Sequence, residues 1–205
     1  MRLALAARRE QCTDMIHPSI QNVLPDLHTE VRALEGDAYL LCLDGVLWPG
    51  WAGNLASALA ARGVSVQRGL ARAARGGIWT ARFEVLRLPG APELAALDLE
   101  ALAREDAHEG FATPLRIDRF AVVPALEHGG SLHLSVGAAD AVGFLAALLR
   151  RLAYLSLFPV EMRLETQGDR VADELWLRAG GSRRPSRAKR EVLSRTLGMR
   201  VDSYG

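Results

Sequence analysis

Apolar and polar positions alternate over Tyr39, Leu41 and Leu43, the mark of a half-buried strand. A turn bearing Gly50 follows. Ala52, Leu55, Ala56 and Leu59 then fall at helical spacing, one apolar stripe of an amphipathic helix. The same order returns later in the chain. Leu132, Leu134 and Val136 alternate, Gly143 sits in the next turn, and Leu145, Leu148, Leu149 and Leu152 make the stripe. Gly50 and Gly143 lie 93 residues apart, and every strand and stripe position named keeps that offset. A repeat of this length predicts two copies of one small domain.

Around these anchors the remaining pattern predicts a βαββαβ order in each copy. In the first copy the strands are expected over Asp37–Asp44, Val64–Arg68, Ile78–Leu86 and Leu115–Val123. Its long helix ends near Gly63, and a second helix opens at Pro92-Glu93 with Leu94, Leu97 and Ala101 on its stripe. The second copy is expected to have strands over Ser131–Val136, Leu157–Leu164 and Val171–Leu177. A helix over Arg184–Leu197 and a short last strand at Met199 and Val201 complete it. Phe83 and Val85 match Leu175 and Leu177 once one residue is dropped at the hairpin near Gly168. Ahead of the copies, a helix is expected over Leu3–Arg9 and another over Leu27–Leu34, capped by Asp26 and ended by Gly36. The expected division is an extension over residues 1–36, one repeat over 37–125 and the other over 126–205.

The stretches Pro49–Val66 (PGWAGNLASALAARGVSV) and Asp140–Leu157 (DAVGFLAALLRRLAYLSL) resemble the ligand-sensing ACT domain. That family shows a strand, an Asp/Asn-x-Pro-Gly-Leu-Leu turn, a helix and a second strand. The first copy keeps Pro49-Gly50 but has Leu47 where the family has its acid or amide. The second keeps Asp140 and Gly143 but has Val142 where the family has proline. In tandem the two are similar to the C-terminal pair of the uridylyltransferase that modifies the PII nitrogen-signalling protein. The resemblance implies an α+β fold of two ferredoxin-like repeats packed as a pseudo-symmetric pair. It also implies nitrogen-linked regulation by an amino acid, no cofactor, and assembly as a homo-oligomer or with a protein partner. In the family the edge at the second strand often joins two domains into one sheet; Pro159 removes one donor from such a junction.

Composition narrows the function further. Hydrophobic residues at 49% and charged ones at 24% are ordinary for a globular protein. A net charge of +1 argues against a nucleic-acid footprint. The basic helix with Arg183, Arg184, Arg187, Lys189, Arg190 and Arg195 lacks interleaved aromatics and reads as a solvated face. Met1–Ala7 is too short for a signal peptide, and Arg150-Arg151 interrupt the most apolar stretch, so neither export nor a membrane span is expected. Cys12 and Cys42 have no ligand spacing and read as free thiols of a cytoplasmic protein. His17, His28, His108, His128 and His133 are scattered, without metal-ligand spacing. No nucleophile elbow, P-loop or dinucleotide fingerprint appears, and the transferase's catalytic regions have no counterpart, so no catalysis is expected.

The turn before each long helix is the candidate site. A helix N-terminus offers unpaired N–H groups to a carboxylate, and glycine lets a ligand approach the backbone. In the second copy the amides of Gly143, Phe144 and Leu145 are expected to meet an amino acid's carboxylate, with Asp140 on its ammonium. In the first copy Gly50 is flanked by Trp48 and Trp51, either a pocket floor or an anchor between the copies. The alternative to a sensor is a ligand-free structural or dimerisation module, in which Asp140 only caps the turn and Gly143 only permits packing.

Overall fold

Alternation sets the sheet. In a computed structural model, which describes residues 26–105, 114–180 and 183–198, Leu41 and Leu43 of β2 (Ala38–Val46) are fully buried. Leu132, Leu134 and Val136 of β6 (Ser131–Ala139) are buried on the same side of the sheet. The strands β3 (Val64–Ala73), β4 (Ile78–Arg87), β7 (Leu157–Gln167) and β8 (Arg170–Ala179) follow the expected hairpins. With β1 (His28–Ala33) and β5 (Arg119–Ala125) they form one antiparallel eight-stranded sheet in the order β1-β2-β4-β3-β7-β8-β6-β5. The helices α1 (Trp51–Ala61), α2 (Leu99–Arg104), α3 (Phe144–Tyr154) and α4 (Arg187–Gly198) contribute to one continuous apolar core on a single face. The fold is therefore α+β.

The repeat is visible in the elements themselves. The bounds of β6 and α3 are those of β2 and α1 moved by 93 residues. Tyr39 pairs with Val85 and Leu41 with Phe83, as Leu132 pairs with Leu177 and Leu134 with Leu175. The single-residue deletion at the second hairpin is thus where the sequence places it.

Three expectations change. Leu27–Leu34 does not form a helix: His28–Ala33 is strand β1, paired with β2 through Val31↔Leu41. Leu27 and Val31 suit a helix stripe and a strand face equally, and so short an apolar run does not distinguish them. The strand expected to close the first copy is β5, which instead pairs with β6 through Val122↔Leu134. Each half therefore runs ββαββα, with the outer strand at its start. The reason is local: β1–β2 and β5–β6 are hairpins with short loops, which close at small entropic cost. Finally, the second helix of the first half starts late. A 3₁₀ turn covers Leu94–Ala96, and α2 begins after Asp98, whose Oδ1 accepts a hydrogen bond from the Ala101 N–H at 2.9 Å. The helix expected at Leu3–Arg9, the strand at Met199 and Val201, and Cys12 lie outside the described residues.

The halves join through β3 and β7, with Arg68↔Glu165, Leu70↔Arg163 and Arg72↔Glu161. Under the 93-residue offset Arg68 is equivalent to Glu161, Arg72 to Glu165 and Leu70 to Arg163. The register is thus its own image, the signature of an isologous contact about the Leu70–Arg163 pair. Bulges interrupt β3 between Val66 and Arg68 and β7 between Pro159 and Glu161, again at equivalent positions. Pro159 therefore lies just outside the junction and removes no donor from it.

Candidate functional site

Both strand-to-helix turns are built alike. Gly50 and Gly143 are the N-caps of α1 and α3, with φ of 100° and 84°. This left-handed conformation favours glycine over any residue with a Cβ. The Trp51 N–H donates to the Trp48 carbonyl at 3.3 Å, and the Phe144 N–H to the Ala141 carbonyl at 2.9 Å. Of the three amides expected to meet a carboxylate, that of Phe144 is thus already used inside the turn.

Because α1 and α3 pack side by side across the pseudo-two-fold axis, each turn abuts the other half. Asp140, Gly143, Phe144 and Leu145 line a cavity of about 30 Å³ whose far wall is Ala56 and Ala60 of α1 with Ser65 and Val66 of β3. Gly50 and Trp51 line a cavity of about 120 Å³ shared with Leu149 and Ala153 of α3 and with Phe158 and Pro159 of β7. Ala56, Ala60, Ser65 and Val66 correspond to Leu149, Ala153, Phe158 and Pro159, so the cavities are pseudo-symmetric counterparts. Trp48 lines neither. It is half-buried against the core, with the Arg104 guanidinium 5.2 Å from its ring centre. Trp51 is buried and meets Trp79 edge to face at 5.2 Å.

The two cavities differ in chemistry. Sequence reasoning missed the group that distinguishes the second one: Asp173 of β8, only 5% exposed, faces the same cavity as Asp140. Burial pushes its carboxyl from an ordinary 3.8 up to about 7. A hydrogen bond from the Glu165 N–H to Oδ1, at 3.3 Å, opposes that shift, and the Asp140 charge adds to it. Asp140 is raised too, chiefly by burial, against hydrogen bonds from the Ala141 backbone and the Gln67 side chain. The signal was available in the sequence. Asp173 is an acid at an inward position of the alternating run Val171, Leu175, Leu177. The first half has Leu47 at the position of Asp140 and, by the strand register, Ala81 at that of Asp173, and neither lines its cavity.

Elsewhere, Glu161 is buried on the helix-free face beside Arg163 at 3.0 Å, His128 Nε2 at 3.6 Å and Arg72 at 3.7 Å. His128 and His133 both stack on Trp176. Among the described residues no group of three or more His, Cys, Asp or Glu side chains is placed to hold a metal ion. No helix among them is long and apolar enough to cross a membrane. Comparisons with protein-family models, curated proteins and solved structures find no match to this chain.

Proposed function

We propose that the chain is a non-catalytic regulatory protein that senses a small metabolite bearing an ammonium group, an amino acid by its resemblance to the ACT family. In this reading the halves are two ferredoxin-like, ACT-like units in tandem, each beginning with its own edge strand. The reading rests on one observation: Asp140 and the buried Asp173 face one cavity whose other wall belongs to the opposite half. A ligand there touches both halves, so it favours whichever arrangement of them it fits better.

The cavity's size constrains the pose. About 30 Å³ admits a water molecule or a group of ammonium size, and no more. The charged end of the ligand enters between the carboxylates, and the remainder lies toward the Gly143 turn. The same size, and the engaged Phe144 amide, favour the alternative of a ligand-free pairing module. A thermal-shift screen against the common amino acids separates the two. Ligand at about 100 times its dissociation constant stabilises the fold by about 2.7 kcal/mol, a shift of several degrees. Calorimetric titration of the wild type, Asp140→Ala and Asp173→Asn with the amino acid that scores should show about tenfold or greater loss in each variant. Unchanged affinity in both variants moves the site elsewhere. No binding of any common amino acid leaves the pairing module.

A further inference from the structure

We propose that the cavity of the first half is a second binding site of opposite character, one that takes a small aromatic carboxylate. Five large apolar side chains, Trp51, Trp79, Leu149, Leu157 and Phe158, form its walls. At about 120 Å³ it is near the size of an apolar cavity, about 150 Å³, known to hold benzene. Such walls give a water molecule few of the partners it needs, so an aromatic ring displaces little that is well bound. The edge-to-face pair of Trp51 and Trp79 provides both a ring face and ring edges for a third aromatic group.

Charge sets the second half of the ligand. Among the described residues lining this cavity there is a guanidinium, Arg150, and no acid. The counterpart cavity has Asp140 and Asp173 and no base. Arg150 also interacts within the chain, but a guanidinium carries five donors and can serve a carboxylate at the rim as well. Ala153, exposed, stands at the mouth. The inference is independent of the amino-acid reading, since it uses neither aspartate.

The test titrates the full chain with benzoate, toluene and benzylamine and follows the indole N–H signals by NMR. Trp51 and Trp79 should shift saturably while Trp176, stacked on the opposite face, stays still. Benzoate should bind at least about fivefold more tightly than benzylamine, the effect of one charge near the protein surface. Arg150→Gln should erase that preference and leave toluene binding unchanged. Ala153→Phe, with an unchanged melting temperature, should abolish all binding, whereas Asp140→Ala should alter none of it. The proposal is overturned if no saturable shift appears at Trp51 and Trp79, if benzylamine binds as well as benzoate, or if Arg150→Gln keeps the preference.

Discussion

Replacing Asp173 with asparagine should make the protein more stable above neutral pH and leave it unchanged in acid. In the folded chain the Asp173 carboxyl titrates near 7, against 3.8 when it is free. A raised folded pKa means that the native state holds a proton which the unfolded state releases. Below about pH 4 both states are protonated and the group contributes nothing. Between about 4 and 7 the unfolded state ionises first, so stability falls as pH rises, with a slope of about 1.4 kcal/mol per pH unit. Above 7 both states are ionised and the full penalty, roughly 4 kcal/mol, stays constant.

Asparagine has the same shape and never ionises. Its carbonyl oxygen can keep the hydrogen bond from the Glu165 N–H. The expected gain at pH 8 is therefore about 2–4 kcal/mol, the lower figure allowing for a poorly partnered amide nitrogen. For a chain of this length that is roughly 5–15 °C in melting temperature. Urea titrations followed by circular dichroism, from pH 4.5 to 8.5, measure the difference between the two proteins at each pH. It should be at most about 1 kcal/mol at pH 4.5, less whatever the amide costs, and climb through pH 7. A flat difference from pH 5 to 7.5 would show that Asp173 does not carry the proton, and the argument from burial would fail.

Further outcomes follow from the backbone and the junction. Gly50→Ala and Gly143→Ala should each destabilise by about 1–2 kcal/mol in chemical denaturation, because both positions are left-handed. Gly69→Ala, in ordinary extended backbone, should also destabilise, by about 1–3 kcal/mol, because its Cβ would stand 2.5 Å from the Phe83 ring. A protease site inserted between residues 105 and 114, once cut, should leave the two fragments co-eluting on gel filtration, held by the β3–β7 ladder and the α1–α3 contact. Fragments that separate at micromolar concentration would refute the joined sheet as the main tie between the halves.

The central strand-turn-helix units were legible because two periodicities, 2 and 3.6, changed at the same place twice and at one fixed offset. The edge strands were not. β1 exposes His28, Glu30 and Arg32, and only its Val31, with Leu27 just ahead of the strand, packs toward the core, too little apolar pattern to separate strand from helix. Pairing partners were equally hidden, since β5 follows the first half in sequence but is held by the hairpin to β6. At the turns, Asp140 and Gly143 could be read because a turn signals its own chemistry. Asp173 belongs to the same cavity through strand register, 33 residues further on, and only the sheet brings it there. Pro159 shows the converse case. Proline lacks a donor wherever it stands, which predicts a weakened junction, but the bulge beside Pro159 leaves it outside the β3–β7 pairing.

The self-complementary register of β3 and β7 has a consequence for the two cavities. It sets α1 and α3 antiparallel across one axis, so each helix lines one cavity with its first turn and the other cavity with its later turns. Any ligand that moves one helix relative to the other alters both cavities, and the coupling is necessarily the same in both directions. The substitutions that distinguish the halves sit apart in the chain: Leu47 against Asp140 just after β2 and β6, and Ala81 against Asp173 on β4 and β8. The first half thus has no acid at either position, and Arg150, the equivalent of Ser57, brings a base to its cavity. The second cavity therefore carries two carboxyls and the first a guanidinium. Two ligands of opposite charge, one at each end of the same helix pair, would make full use of them.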